Sequence, residues 1–268
     1  MYTDSHCHLN FPELRAQLPQ IRHAMAQAQV TRALCICTTM EEFTDVHSLA
    51  MEHDNFWSTV GVHPDNEGVR EPLLEELVSL AALPKVVAIG ETGLDYYQMD
   101  TRKGGRSVSD MNWQRDRFRT HIQAARMTGL PLVIHTRSAS QDTLDILKEQ
   151  GETGGEDSAG GVFHCFTESQ EVARAALDLG FYISFSGILT FKTAQDLREV
   201  AQFVPEDRLL IETDSPYLAP VPFRGKTNSP AYVPYVAQLL AQLRASTPER
   251  IAEITSRNFD QLFTKVKS

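Results

Sequence analysis

Short, wholly apolar runs alternate with longer amphipathic stretches along nearly the whole chain. Ala33-Leu34-Cys35-Ile36-Cys37, Val86-Val87-Ala88-Ile89, Pro131-Leu132-Val133-Ile134, Val162-Phe163, Phe181 to Phe185 and Leu209-Leu210-Ile211 read as strands. Such runs lack polar alternation, as expected when both faces of a parallel sheet are buried. Met1 to Thr3 and onward, and Phe56 to Val62, supply two more strands. Between them lie helical patterns. Leu14, Leu18, Ile21 and Met25 share one face after Pro12, and Phe118, Ile122 and Ala125 form a stripe within Trp113 to Met127. Further helices are predicted over Glu41–His53, Leu73–Leu83, Thr143–Gln150, Ser169–Leu179 and Thr193–Phe203, and around Val233, Val236, Leu240 and Leu243. Thr247-Pro248-Glu249 offers a cap, a proline at the first helical position and an acid, and so opens a final helix.

About eight alternations of strand and helix in one chain fit a TIM (β/α)8 barrel, with an open doubly wound sheet as the rival. The 268 residues, 42% of them hydrophobic, suffice for one large core. Barrels of about 250 residues are common as single domains, so the expectation is one domain over residues 1–268. No Gly-rich dinucleotide loop follows the first strand, which weakens a nucleotide-cofactor fold. No run of about 18 apolar residues suggests a membrane span, and no basic-then-apolar segment suggests a signal peptide. Cys7, Cys35, Cys37 and Cys165 match no zinc module, and their apolar neighbours favour buried thiols in a cytoplasmic protein. The net charge of −10 argues against general nucleic-acid affinity. It leaves room for a phosphate-containing substrate, because bound cations reverse the sign of a local site.

The candidate chemistry lies at the strand ends. His6 and His8 close the first strand, Glu91 the fourth, His135 the fifth, His164 the sixth and Asp214 the eighth. In a TIM barrel these ends form one ring at the catalytic face. Four imidazoles and two carboxylates exceed one tetrahedral zinc site with an open position. They suit two divalent ions roughly 3.5–4 Å apart, bridged by a carboxylate. Mixed nitrogen and oxygen donors fit zinc, manganese or magnesium, magnesium least. Asp4 shares strand parity with His6 and His8, so it is expected to orient one of these imidazoles. Glu212 shares parity with Asp214 and is expected to point inward behind the ring or to form an ion pair in the barrel.

The segments Asp4-Ser5-His6-Cys7-His8-Leu9, Ile89-Gly90-Glu91-Thr92-Gly93-Leu94-Asp95, Val133-Ile134-His135-Thr136-Arg137, Phe163-His164-Cys165-Phe166 and Glu212-Thr213-Asp214-Ser215-Pro216-Tyr217-Leu218 resemble the signatures of the TatD family of metal-dependent hydrolases. Gly61-Val62-His63-Pro64 and Pro222-Phe223-Arg224-Gly225-Lys226 are similar to further segments of that family. The resemblance implies an amidohydrolase-like barrel with a binuclear centre, and deoxyribonuclease activity. It assigns His6, His8, Glu91, His135, His164 and Asp214 as ligands, with Glu91 bridging, the same set as the strand-end ring.

The expected reaction is metal-dependent hydrolysis of phosphodiester bonds in single-stranded or frayed DNA, with RNA a further possible substrate. Glu91 and Asp214 are the catalytic carboxylates, Asp214 orienting or deprotonating the water. His63, Arg137 and Arg224 are candidate substrate contacts, since an arginine fork matches a phosphate. Two loops look long for the family. The first, 98–112, carries Arg102, Lys103 and Arg106 toward the active face, where they either meet a phosphate or stay in solvent. The second, 151–161, is acidic and Gly-rich, and is expected to be flexible and on the opposite face. The alternatives are a hydrolase of an aminoacyl ester, amide or lactone, and a non-enzymatic binding protein on the same scaffold. No obligate protein partner and no membrane association are inferred.

Overall fold

The computed structural model describes residues 1–99 and 105–267. Eight parallel strands pair in chain order: β1 (Tyr2–Cys7), β2 (Val30–Cys35), β3 (Phe56–Val60), β4 (Val86–Asp95), β5 (Leu132–Arg137), β6 (Gly161–Phe163), β7 (Tyr182–Phe185) and β8 (Leu209–Ile211). The barrel closes just past β8. There the Asp214 amide donates to the His6 carbonyl (2.9 Å), and the His8 amide to the Ser215 carbonyl (2.8 Å). Helices α1 (Pro12–Arg15), α2 (Leu18–Gln27), α3 (Phe43–Met51), α4 (Leu74–Ala81), α5 (Asn112–Thr128), α6 (Ser140–Glu149), α7 (Gln170–Asp178) and α8 (Gln195–Phe203) fill the crossovers, and α9 (Val233–Leu243) and α10 (Pro248–Leu262) follow β8. Among the described residues, no helix is long and apolar enough to cross a membrane.

Alternation along each strand sorts the apolar residues into two clusters. Ala33, Cys35, Ile89, Leu132, Ile134, Ile183 and Ile211 pack outward with the helices. Leu34, Val87, Val133, Val162, Tyr182 and Leu210 form the inner cluster, joined by Phe259 of α10 and by Phe263. Two residues beyond Val133, Val162 and Leu210 stand His135, His164 and Glu212. A period of two keeps these on the inner side, so one barrel layer is apolar and the next, toward the strand C-termini, is ionisable.

Several boundaries differ from the sequence expectation. The helix predicted after Pro12 is two helices. Pro19 sits at the second residue of α2, where its ring fixes φ, it lacks an N–H and it restricts the residue before it, so the chain breaks at Gln17. Strand β4 does not end at Glu91 but runs on to Asp95, through a register shift between Ile89 and Thr92. Gly93, at φ +121°, permits this: a Cβ there would lie 2.0 Å from the His135 carbonyl oxygen. At the last helix the cap reads as expected, with the Thr247 side chain accepting from the Arg250 amide (3.2 Å). The 151–161 loop is closed around the buried Glu152, whose carboxylate accepts from the Ala159 and Gly160 amides (3.1 and 3.0 Å). It links the end of α6 to the start of β6, on the face away from the strand C-termini.

Candidate metal centre

The six strand-end residues converge. Glu91, 2% exposed, divides its two oxygens between two sets of imidazoles. Its Oε2 faces Nε2 of His6 (3.4 Å) and of His8 (3.9 Å). Its Oε1 faces Nε2 of His164 (2.8 Å), Nδ1 of His135 (3.4 Å) and Nε2 of His63 (3.3 Å). Asp214 Oδ1 lies 3.3 Å from His8 Nε2 and 3.5 Å from His6 Nε2. The two Nε2 atoms of His6, on β1, and His8, just past its end, are 3.3 Å apart. Asp214 adopts φ +54°, a left-handed conformation that Asp tolerates better than most residues.

Each outer imidazole is held from behind by a carboxylate. His135 Nε2 lies 3.0 Å from Asp95 Oδ2, which leaves Nδ1 aimed at Glu91. His164 Nδ1 lies 3.3 Å from Glu212 Oε1, which also accepts from the Cys165 amide (2.7 Å) and leaves Nε2 toward Glu91. Such pairs fix the tautomer and turn the free lone pair to a common point. Asp95 escapes a sequence reading that ends the fourth strand at Glu91, because β4 runs four residues further. Its spacing of four from Glu91 on one strand was the available signal. Glu212 points inward as its parity indicates. Asp4 has a different role from the one expected. It touches no imidazole but accepts from the Thr213 amide (2.9 Å), the Thr213 hydroxyl (2.5 Å) and the His6 amide (3.3 Å), tying β1 to the end of β8. Barrel closure brings the Thr213 backbone to Asp4, and burial pushes its carboxyl up to about 8.

The electrostatics are those of a cation site. Burial alone would raise the Glu91 carboxyl, but His63, His164 and His6 together hold it well below the usual range. Burial likewise opposes ionisation of Asp214, and the contacts with His8 and His6 outweigh it. Burial would lower His164, yet Glu91 and Glu212 raise it well above 6.5. Several imidazoles and carboxylates thus compensate one another in a largely buried ring, which is costly unless a cation shares the load. Buried nitrogens without a hydrogen-bond partner remain on His6 (Nδ1) and His8 (Nδ1). Three sets of donor atoms, His6/His8/Asp214, His63/Glu91/His135 and His6/His164/Glu212, each lie within 4.8 Å of one another. These mixed imidazole and carboxylate donors fit divalent cations.

The ring forms the floor of a cavity of about 650 Å³ whose walls include Phe11, Thr38, Asn66, Arg137 and Tyr217. His63 lines it too, close enough to Glu91 to belong to the ring itself. Its position is set from behind by the buried Arg117, which donates to the His63 and Asn66 carbonyls (both 2.9 Å). Arg137 lies on the wall, half exposed, with its guanidinium 3.7 Å above the Tyr97 ring and 4.0 Å from Asp95. Arg224 stacks 3.5 Å over Phe191 and is not among the described residues that line the cavity. Arg106 pairs with Glu67 (2.8 Å), whereas Arg102 and Lys103 lie outside the described residues. Cys7, Cys35 and Cys37 are buried, and burial pushes the Cys37 thiol up to about 12. Cys165 is half-buried beside Ser186 (3.1 Å).

The chain is similar to known proteins over nearly its whole length. The family model described as TatD related DNase matches residues 3–264. The uncharacterized metal-dependent hydrolase YcfH of Escherichia coli K12 is 46% identical over 264 residues, covering 97% of this chain and 94% of that protein. The 3'-5' ssDNA/RNA exonuclease TatD of Salmonella typhimurium LT2 is 34% identical over 245 residues, 89% of this chain and 90% of that protein. Among solved structures, the TatD homologue YJJV from Escherichia coli K12 superposes with a TM-score of 0.86 at 28% identity, covering 98% of both chains.

Proposed function

This chain belongs to the TatD family of metal-dependent hydrolases, and from that premise we propose that it is a phosphodiesterase acting on the ends of single-stranded or frayed DNA. The observation that carries the reading is the division of Glu91 between two sets of imidazoles, with Asp214 beside one of them. A carboxylate so placed suits divalent cations, which His6, His8, Glu91, His135, His164 and Asp214 would hold. Divalent ions there, whether zinc, manganese or magnesium, would supply an acidified water and stabilise charge on the transferring phosphoryl group. The nucleic-acid substrate is supported by the relative named as a ssDNA/RNA exonuclease.

The chain's own residues have separable tasks. Asp214, kept ionised by His8 and His6, accepts the proton of the attacking water. Glu212 and Asp95 hold His164 and His135 in the tautomers that leave a lone pair on the ring side. Arg137 lines the cavity and offers N–H donors to phosphate oxygens, while His63, whose Nδ1 accepts from the Asp65 amide, turns its Nε2 to Glu91. A net charge of −10 argues against general nucleic-acid affinity, and a ring on the cavity floor is reached by an unpaired end more readily than by a stacked helix. Product analysis tests the reading. Single-stranded DNA incubated with the metal-loaded protein should release nucleotide monophosphates. Release of a carboxylic acid from an ester, amide or lactone, with DNA left intact, would transfer the protein to carbonyl chemistry.

A further inference from the structure

We propose that Tyr217, backed by Phe11, is a stacking platform for the terminal base of the bound strand, and so a specificity determinant for unpaired nucleic-acid ends. The inference rests on the phosphodiesterase reading above and adds to it a site for the base. Among the described residues, a handful of large hydrophobic side chains are strongly exposed: Met1, Met51, Leu73, Val108, Met127, Tyr217 and Val221. Of these, Tyr217 alone lines the cavity, at 54% exposed. Its ring is exposed, but its backbone is pinned. The amide donates to the Asp214 carbonyl (3.0 Å), and the carbonyl accepts from Nδ2 of the buried Asn228 (2.6 Å). Asn228 Nδ2 also donates to the Thr213 carbonyl (2.8 Å), so the loop is tied to the end of β8.

Behind Tyr217 the aromatic surface continues inward. Phe11 meets it edge-on (centroids 6.3 Å apart, planes at 76°) and stacks on His8 (4.7 Å, 22°). A path of flat rings thus leads from the ionisable ring to the cavity mouth. On the wall contributed by β5, Arg137 presents an exposed guanidinium held over Tyr97. A ring on one wall and a cation on another match a nucleotide end, whose base is flat and whose next phosphate is anionic. Every base has a π-face, so the platform is tolerant of sequence, and a base must be unpaired and unstacked to use it.

Kinetics with two oligonucleotides test the proposal, one carrying a base on the terminal nucleotide at the attacked end and one abasic there. Wild type should show a lower KM for the base-ended strand. Tyr217→Ala should raise KM for the base-ended strand on the order of tenfold and erase the preference over the abasic end, while Tyr217→Trp retains it. Thermal melts check that the variants are folded. A Tyr217→Ala enzyme with the wild-type preference overturns the proposal, as does an equal loss on both strands carried by kcat, which would mark a structural effect on Asp214. In both cases wild-type cleavage leaves the phosphodiesterase reading standing. Wild type that cleaves neither strand removes that reading and the platform together.

Discussion

Asp95 touches no ion in the proposed site, yet its exchange for asparagine should weaken that site sharply. The carboxylate accepts twice, from the Tyr97 amide at Oδ1 (2.8 Å) and from His135 Nε2 at Oδ2 (3.0 Å). An asparagine that keeps the Tyr97 contact must turn its NH2 toward His135. Two donors then face each other, and the imidazole moves its proton to Nδ1. That nitrogen is the one aimed at Glu91, 3.4 Å away, so the lone pair offered to a cation is lost. Carboxylates that support a ligating histidine are worth about 10–100-fold in metal affinity or activity. At 1.36 kcal/mol per decade this is roughly 1.4–2.7 kcal/mol. Competition with a chromophoric chelator measures the affinity, and steady-state hydrolysis measures the consequence. The fold should survive, because asparagine is nearly isosteric. In a His135→Ala background the Asp95→Asn exchange should add little, since Asp95 acts through His135. Affinity and turnover within about twofold of wild type would refute the reasoning, as would full additivity of the two changes.

Gly93→Ala should cost at least about 3 kcal/mol, because the added methyl meets the His135 carbonyl and φ is positive. The melting temperature should fall by roughly 10 °C, and an unchanged melt would contradict the packing described for β4. Without metal, stability should fall as pH rises above 6.5. His164 has a raised pKa when folded, so the stability it contributes is complete below 6.5 and is lost as pH climbs through the folded value. Glu91 has a depressed one, so its contribution is lost only on strong acidification. Metal affinity should move the opposite way over the same interval, because ligating imidazoles must shed their protons. Melts of metal-free protein from pH 6.5 to 8.5 that stay level or rise would contradict this.

Most of the ring was legible in the sequence, because strand chemistry is local. An apolar inward residue followed two positions later by His135, His164 or Glu212 announces both the barrel face and the layer change. The residues that escaped did so for tertiary reasons. Asp95 stands in a Gly-rich segment that becomes strand only because Gly93 lets β4 pass close to β5. Asp4 has the parity of a ligand partner but meets the backbone of β8, a contact fixed by barrel closure rather than by its own strand. His63 lies three residues past the end of β3, and its place beside Glu91 is backed by Arg117, 54 positions away in sequence. Arg224 could be read as a phosphate contact from composition alone, whereas its stacking on Phe191 depends on how two loops meet.

The central claim is that Glu91 unites the imidazoles of two cation sites and that hydrolysis depends on them. Metal content and nuclease activity, measured together on wild type and Glu91→Gln, test it most directly. Wild type should bind divalent metal and degrade single-stranded DNA only when it is present. Glu91→Gln should fold, lose bound metal and lose activity with it. Equal metal content and equal DNA degradation in the two proteins would contradict the claim.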